Sequence, residues 1–349
     1  NPNYIYEHQQ NDTYNAFNLF GDYEKTLGKH YFKVMLGFNQ ETKHTRAFYA
    51  QRNILISNDL PSMDAATGEK YVGNSDDSWA TRSGFFRVNY TFADRYLLEV
   101  NGRYDLSSKF PKSDRSVFSP SFSLGWKLSE EKWFKEPTNS FFDDLKIRAS
   151  YGSLANQALD NGWYAYLSNY STGTMSYLMG GQQNQYVLPG GLVSNIVTWE
   201  KVTQWDLGLD FAILRSRLRG TFDYYQRTTT GMLGPGQLLP NILGATEPQE
   251  NAADMRTSGW ELALTWNDQL SNGLHYTVGF NLSDTQAKIT KYDNPTKSLS
   301  SSYYEGQTIG EIWGYESTLF QSQEEIDNAP DQSKVDGAIS KVPGDIRFM

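Results

Sequence analysis

Apolar and polar residues alternate strictly along much of the chain. In Phe86-Arg87-Val88-Asn89-Tyr90-Thr91-Phe92 every apolar side chain falls on one face. The same holds for Phe122-Ser123-Leu124-Gly125-Trp126-Lys127-Leu128 and Trp205-Asp206-Leu207-Gly208-Leu209-Asp210-Phe211. It holds again for Trp260-Glu261-Leu262-Ala263-Leu264-Thr265-Trp266 and Tyr276-Thr277-Val278-Gly279-Phe280-Asn281-Leu282. A period of two predicts strands with one apolar and one wet face. About ten are expected, over 12–26, 31–44, 78–91, 95–107, 116–128, 144–153, 198–212, 217–229, 255–268 and 274–288. They exceed the five or six residues usual in soluble sheets. Roughly 9–11 tilted residues cross a bilayer, so most of them are long enough to span one.

The connections alternate in length. Short links are expected at 27–30, 92–95, 214–217 and 269–273, and long ones at 45–78, 154–197, 230–255 and 291–349. The link at 108–115 is of medium length; the one at 129–143 is an exception on the short side, with one helical turn expected at 130–135. Short turns on one rim and long extracellular loops on the other describe an all-β, antiparallel transmembrane β-barrel of the outer membrane. Aromatics near strand ends, at Trp199, Trp205, Tyr224, Tyr225, Trp260 and Trp266, fit interfacial girdles. The alternative at this point is a soluble aromatic-rich sheet whose apolar face is covered by a second layer.

Composition narrows the chemistry. Among 349 residues 15% are aromatic, none is cysteine, and the net charge is −9. Thiolate metal sites, disulfides and a cysteine nucleophile are excluded, and bulk positive charge for nucleic acid is lacking. No apolar run approaches the roughly 18 residues of a membrane helix, which leaves a barrel possible. The acid pairs Asp76-Asp77, Glu130-Glu131, Asp143-Asp144 and Glu324-Glu325 read as solvated turns rather than as catalytic carboxylates held across a cleft. His8, His30, His44 and His275 show no metal-ligand spacing, and Gly231 to Gly236 lacks the context of a phosphate cradle. No catalytic residue, metal site or cofactor is expected, and the chain does not read as an enzyme.

The order of motifs is distinctive. GFFRVNYTFADRYLLEVNGRYD (84–105) precedes SPSFSLGWKLSEEKWF (119–134), LKIRASYGSLANQ (145–157), WEKVTQWDLGLDF (199–211), FDYYQRTTTGML (222–233), SGWELALTW (258–266), YYEGQTIGEIWGYE (303–316) and PGDIRF (343–348). This order resembles the SusC/RagA family of TonB-dependent outer-membrane transporters over nearly the whole chain. The resemblance implies a 22-stranded barrel with a plug in its lumen. It implies import of oligosaccharides or peptides, energised through TonB, with a SusD-like surface lipoprotein over the mouth, in the outer membrane of a Gram-negative-type bacterium. At about 35 residues per strand and loop, 22 strands need roughly 770 residues. The expectation is therefore a partial, middle-to-late stretch of a longer polypeptide, without the plug or the TonB-contacting segment and ending before any calcium loop. A passive porin or adhesin-type barrel remains the rival within membranes.

The loop 154–197 carries the candidate contacts. Trp163, Tyr164, Tyr166, Tyr170, Tyr177 and Tyr186 stand among Asn156, Gln157, Asn161, Asn169, Gln182, Gln183, Asn184, Gln185 and Asn195, with Asp160 as the one acid. Rings with amide neighbours suit the C–H faces and hydroxyls of a neutral glycan, or a peptide backbone. The same residues also suit the lipoprotein interface.

Overall fold

The computed structural model describes residues 3–59, 61–134, 141–157, 163–194, 197–236, 239–295, 297, 303–337 and 339–348. In chain order the elements are β1 (Tyr4–Leu27), β2 (His30–Asn53), β3 (Lys70–Phe92), β4 (Tyr96–Ser107), β5 (Ser116–Lys127), β6 (Phe142–Asn156), β7 (Ser171–Thr174), β8 (Gln185–Leu188), β9 (Glu200–Ile213), β10 (Leu218–Pro235), β11 (Gln249–Gln269) and β12 (His275–Lys291). Ten of them form one sheet in the order β1-β2-β3-β4-β5-β6-β9-β10-β11-β12, each pair antiparallel. β7 and β8 make a separate hairpin inside the β6–β9 connection. Beyond β12 lie β13 (Ser317–Leu319), α1 (Gln323–Asp327), α2 (Ser333–Asp336) and β14 (Ile346–Phe348), with β13 paired to β14. No helix among the described residues is long and apolar enough to cross a membrane.

The pairing shows why the alternation matters. Across the sheet Val34 pairs with Val88, Val88 with Val100, and Val100 with Phe122. Further along, Leu209 pairs with Phe222, Phe222 with Leu262, and Leu262 with Leu282. One face is thus a continuous apolar band with no layer over it among the described residues: Leu36 is 63% exposed and Phe280 51%. Water would not tolerate so large an uncovered apolar surface, whereas hydrocarbon does. The other face is held by polar pairs. Lys33 Nζ lies 3.3 Å from Asp22, Asn89 donates to Glu99 at 2.6 Å, and Arg148 binds Asp210 at 2.9 Å and Asp223 at 2.9 Å. Gly208 sits between the last two pairs; a Cβ there would meet both Arg148 and Asp223.

The strands at the long-loop rim run further than the alternation predicts. β2 continues to Asn53 and β3 starts at Lys70, so that connection is 54–69 rather than 45–78. β10 and β11 likewise extend to Pro235 and from Gln249. These extensions rise above the apolar band, where alternation stops; in β10 glycines and register shifts after Thr229 break the pattern as well. At the other rim the turns are tight. Gly28 in the two-residue β1–β2 turn, and Ala93 and Asp94 in the three-residue β3–β4 turn, have positive φ (60°, 53° and 57°), as tight hairpin turns favour.

Two aromatic placements differ from the girdle reading. Trp199 is 5% exposed and packs against Phe110, Val117 and Val197. Tyr225 lies opposite Asp206 and Gly259, on the polar face. Trp205, Tyr224, Trp260 and Trp266 stand on the apolar face; the Trp205 and Tyr224 rings are 5.5 Å apart. A second aromatic row follows the short-turn rim, where His30 meets Phe92 at 4.8 Å and Tyr96 meets Trp126 at 6.2 Å.

Most of the paired acids are exposed, but several have defined partners and Glu131 is an exception. Glu131 is buried and accepts hydrogen bonds from Arg95 Nη1 (2.6 Å), the Tyr96 hydroxyl (2.6 Å) and Trp126 Nε1 (3.1 Å). It ties the β3–β4 turn to the segment after β5, which forms a short 3₁₀ turn at Leu128–Glu130; Lys135 lies outside the described residues. Asp143 accepts from Ser216 N at 2.7 Å, and Asp144 from Ser129 Oγ at 2.6 Å. Asp76 stands within β3, between His44 (2.6 Å) and Arg46 (3.2 Å). Ser322 caps α1, its Oγ accepting from Glu325 N at 3.3 Å, and the Glu325 carboxylate accepts from Gln321 N at 2.8 Å.

Candidate functional site

The long-loop rim is stiffened by a small core of its own. Phe110, Val117, Val197 and Trp199 are buried together, with Ala155 and Leu233 packed beside them. Trp199 Nε1 donates to the Asp114 carbonyl at 2.9 Å, and Arg115 Nε to the Phe110 carbonyl at 3.1 Å. Asn251 accepts from Thr198 N at 2.8 Å and donates to the carbonyls of Thr198 (3.0 Å) and Gly231 (2.5 Å). These contacts join segments that are far apart in sequence, so the loops stand on a rigid base.

Above that base aromatic side chains gather on the polar side of the sheet. Trp79 of β3 has Tyr14 of β1 at 6.4 Å and the edge of Trp163 at 6.2 Å. Lys109 Nζ sits over the Trp79 ring, 4.9 Å from its centre. Burial pushes the Lys109 ammonium below its ordinary pKa. Tyr164 has φ of 73° and donates its hydroxyl to the Ser78 carbonyl; it also lies 3.2 Å from Ser108 Oγ. Its ring meets Tyr166 edge-on at 6.2 Å. The same face continues upward along the β1–β2 extension, where Tyr6 stacks on Tyr49 at 5.8 Å and lies 6.4 Å from His8.

The structure therefore brings together Trp163, Tyr164 and Tyr166 from the predicted set. Tyr170 is 78% exposed at the foot of the β7–β8 hairpin and Tyr177 is exposed at its tip. Tyr186 lies in β8 with its ring over Gly173. Asn156 ends β6, paired with Glu200, and Gln157 follows it at the base of the loop. Asp160, Asn161 and Asn195 lie outside the described residues. Tyr14, Trp79 and Lys109 were missed. The signal was present for the first two, because each places a large ring on the polar parity of its strand.

Comparison with known proteins decides the family. The sequence model described as "TonB dependent receptor-like, beta-barrel" matches residues 1–339. The chain belongs to this family. Within it the SusC/RagA resemblance stands, and the family's barrels lie in the outer membrane. TonB-dependent receptor P3 of Formosa agariphila is 27% identical over 308 residues, covering 84% of this chain and 30% of that protein. TonB-dependent receptor SusC of Bacteroides thetaiotaomicron is 28% identical over 297 residues, covering 83% of this chain and 28% of that protein. The chain thus spans under a third of either relative. The structure of the RagAB peptide transporter superposes with a TM-score of 0.77 at 21% identity, over 91% of this chain and 35% of that one. The ten-stranded sheet is therefore part of a TonB-dependent receptor barrel, with its apolar band toward lipid and its polar face toward the lumen.

Proposed function

We propose that the polypeptide carrying this chain imports oligosaccharides or peptides across the outer membrane, energised through TonB, with a SusD-like lipoprotein over its mouth. The long loops face outside and the short turns face the periplasm. Tyr14, Trp79, Trp163, Tyr164 and Tyr166 form the part of the mouth that receives substrate from above the lumen. The observation carrying this reading is the Tyr14–Trp79–Trp163 cluster on the lumen-side face, directly over the polar wall. Rings in this arrangement stack on sugar C–H faces or on peptide planes. Import rather than enzymatic turnover is supported by the relatives, which are named as receptors and transporters.

The test is uptake of labelled oligosaccharides and of labelled peptides by cells carrying the full-length transporter. With Trp79→Ala and Trp163→Ala together, uptake of the true substrate should fall by roughly tenfold, on the order of one to two lost stacking contacts. Barrel assembly should be unchanged in heat-modifiable electrophoretic mobility. Wild-type uptake in the double variant would remove the cluster from the substrate path.

A further inference from the structure

The lipid-facing side of β9–β12 changes character toward the long-loop rim. Rows of apolar residues come first, ending at Leu207, Tyr224 and Trp260. A mixed row follows, with Trp205 opposite Gln226, Gln226 opposite Ser258 and Ser258 opposite Gln286. The next row pairs Arg256 of β11 directly with Lys288 of β12. Both side chains are exposed, and neither makes an ion pair among the described residues. Lys201 stands on the same face of β9, opposite Thr230.

Two like charges facing each other across antiparallel strands are unfavourable unless an anion joins them. Among the described residues none of the nearby acids forms an ion pair with either cation. Asp284 is four residues below Lys288 on β12, opposite Trp260. Asp254 accepts from Gly231 N at 2.8 Å. Glu311, on the segment that pairs with β12 through Thr308, is held by Tyr304, by Trp313 Nε1 at 2.9 Å and by the Thr308 amide. Height is the second observation. Ten residues separate Arg256 from Trp266 of the opposite girdle. That is about 34 Å along the strand and about 26 Å vertically at a 40° tilt, close to the thickness of the apolar band of such barrels. The cations thus lie where lipid headgroups begin.

We propose that Arg256 and Lys288, with Lys201 one row higher and two strands from Arg256, form a docking surface for the phosphate groups of a phosphorylated glycolipid of the outer leaflet. The hydroxyl and amide groups of the mixed row below meet its sugar head, and the apolar rows meet its acyl chains. The assignment rests on the long loops facing outside, as proposed above.

The test uses the full-length transporter, delipidated in detergent and exposed to diphosphorylated lipid A, monophosphorylated lipid A or phosphatidylglycerol, with retained lipid counted by native mass spectrometry. Wild type should retain diphosphorylated lipid A best. R256Q/K288Q should retain it roughly tenfold less. R256K, and Lys25→Gln on the same face at the short-turn rim, should behave as wild type. Equal retention by R256Q/K288Q, or equal retention of phosphatidylglycerol by wild type, overturns the proposal. Heat-modifiable mobility confirms that each variant is folded. Orientation is read separately, by labelling Leu178→Cys from outside intact cells. Labelling there with failed lipid retention sinks this proposal alone, and absence of labelling sinks the orientation as well.

Discussion

At the scale of residues, which face a side chain occupies sets what a substitution costs. The row Leu209, Phe222, Leu262 and Leu282 lies about midway between the two aromatic girdles. Leu282→Arg should therefore destabilise the full-length barrel by about 2–4 kcal/mol. Ser283→Arg, one residue along and opposite Glu261 on the lumen side, should cost about 1 kcal/mol or less. Folding into lipid vesicles under urea checks both, and equal costs would contradict the lipid-facing assignment. Glu131 gives a pH-dependent prediction. The Tyr96 hydroxyl first, then the Trp126 indole and Arg95, hold its carboxyl below the ordinary value of 4.5. A lowered folded pKa contributes stability that is present above the unfolded value and is lost as pH falls through the folded one. Glu131→Gln should then be less stable than wild type at neutral pH, with the difference closing as pH falls through the lowered folded value. A gap that persists at low pH would show that the carboxylate charge is not what the clamp uses.

At the scale of elements, the long-loop rim depends on a few polar anchors. Asn251 holds Thr198 through both its amide and its carbonyl, whereas the Gly231 amide is held separately by Asp254. Removing a partner from a half-buried backbone group leaves it unsatisfied. Asn251→Ala should therefore speed hydrogen exchange at Thr198 while leaving the Gly231 amide protected. Exchange read by mass spectrometry with residue resolution separates the two. Uniform loosening of both would mean that the rim core acts as one cooperative unit. The strand extensions belong to this scale as well. β1 and β2 are each 24 residues long, more than twice what a bilayer crossing needs, so their upper halves stand above the lipid and carry Tyr6, His8 and Tyr49 over the mouth.

At the scale of the whole molecule, the described sheet is open, with β1 and β12 at its edges. Lipid cannot satisfy the backbone of a free strand edge, so barrels in membranes are closed. Residues 1–349 produced alone should then fail to give a heat-modifiable barrel in vesicles, while the full-length polypeptide succeeds. Stable insertion of the isolated stretch would mean that these ten strands can close on themselves.

Much of this was legible in the chain. Alternation over 205–211 or 260–266 determines strand, face and register together, because a slip of one residue would turn the apolar set into the lumen. The tight turns, the lipid-facing band and the polar lumen wall follow from that pattern alone. The ends of the strands did not follow, since above the bilayer neither face must be apolar and the pattern loses its cause. Trp199 looked like a girdle residue and is the centre of a rim core, because its burial depends on Phe110 and Val197 arriving from separate loops. Trp163 and Trp79 are 84 residues apart in sequence, and Tyr14 lies 65 residues before Trp79. Local periodicity placed each ring on its own element. Only the order in which the strands pair and the fold of the 163–166 turn set them side by side, because contact between distant residues is a property of the paired strands together and not of any one segment.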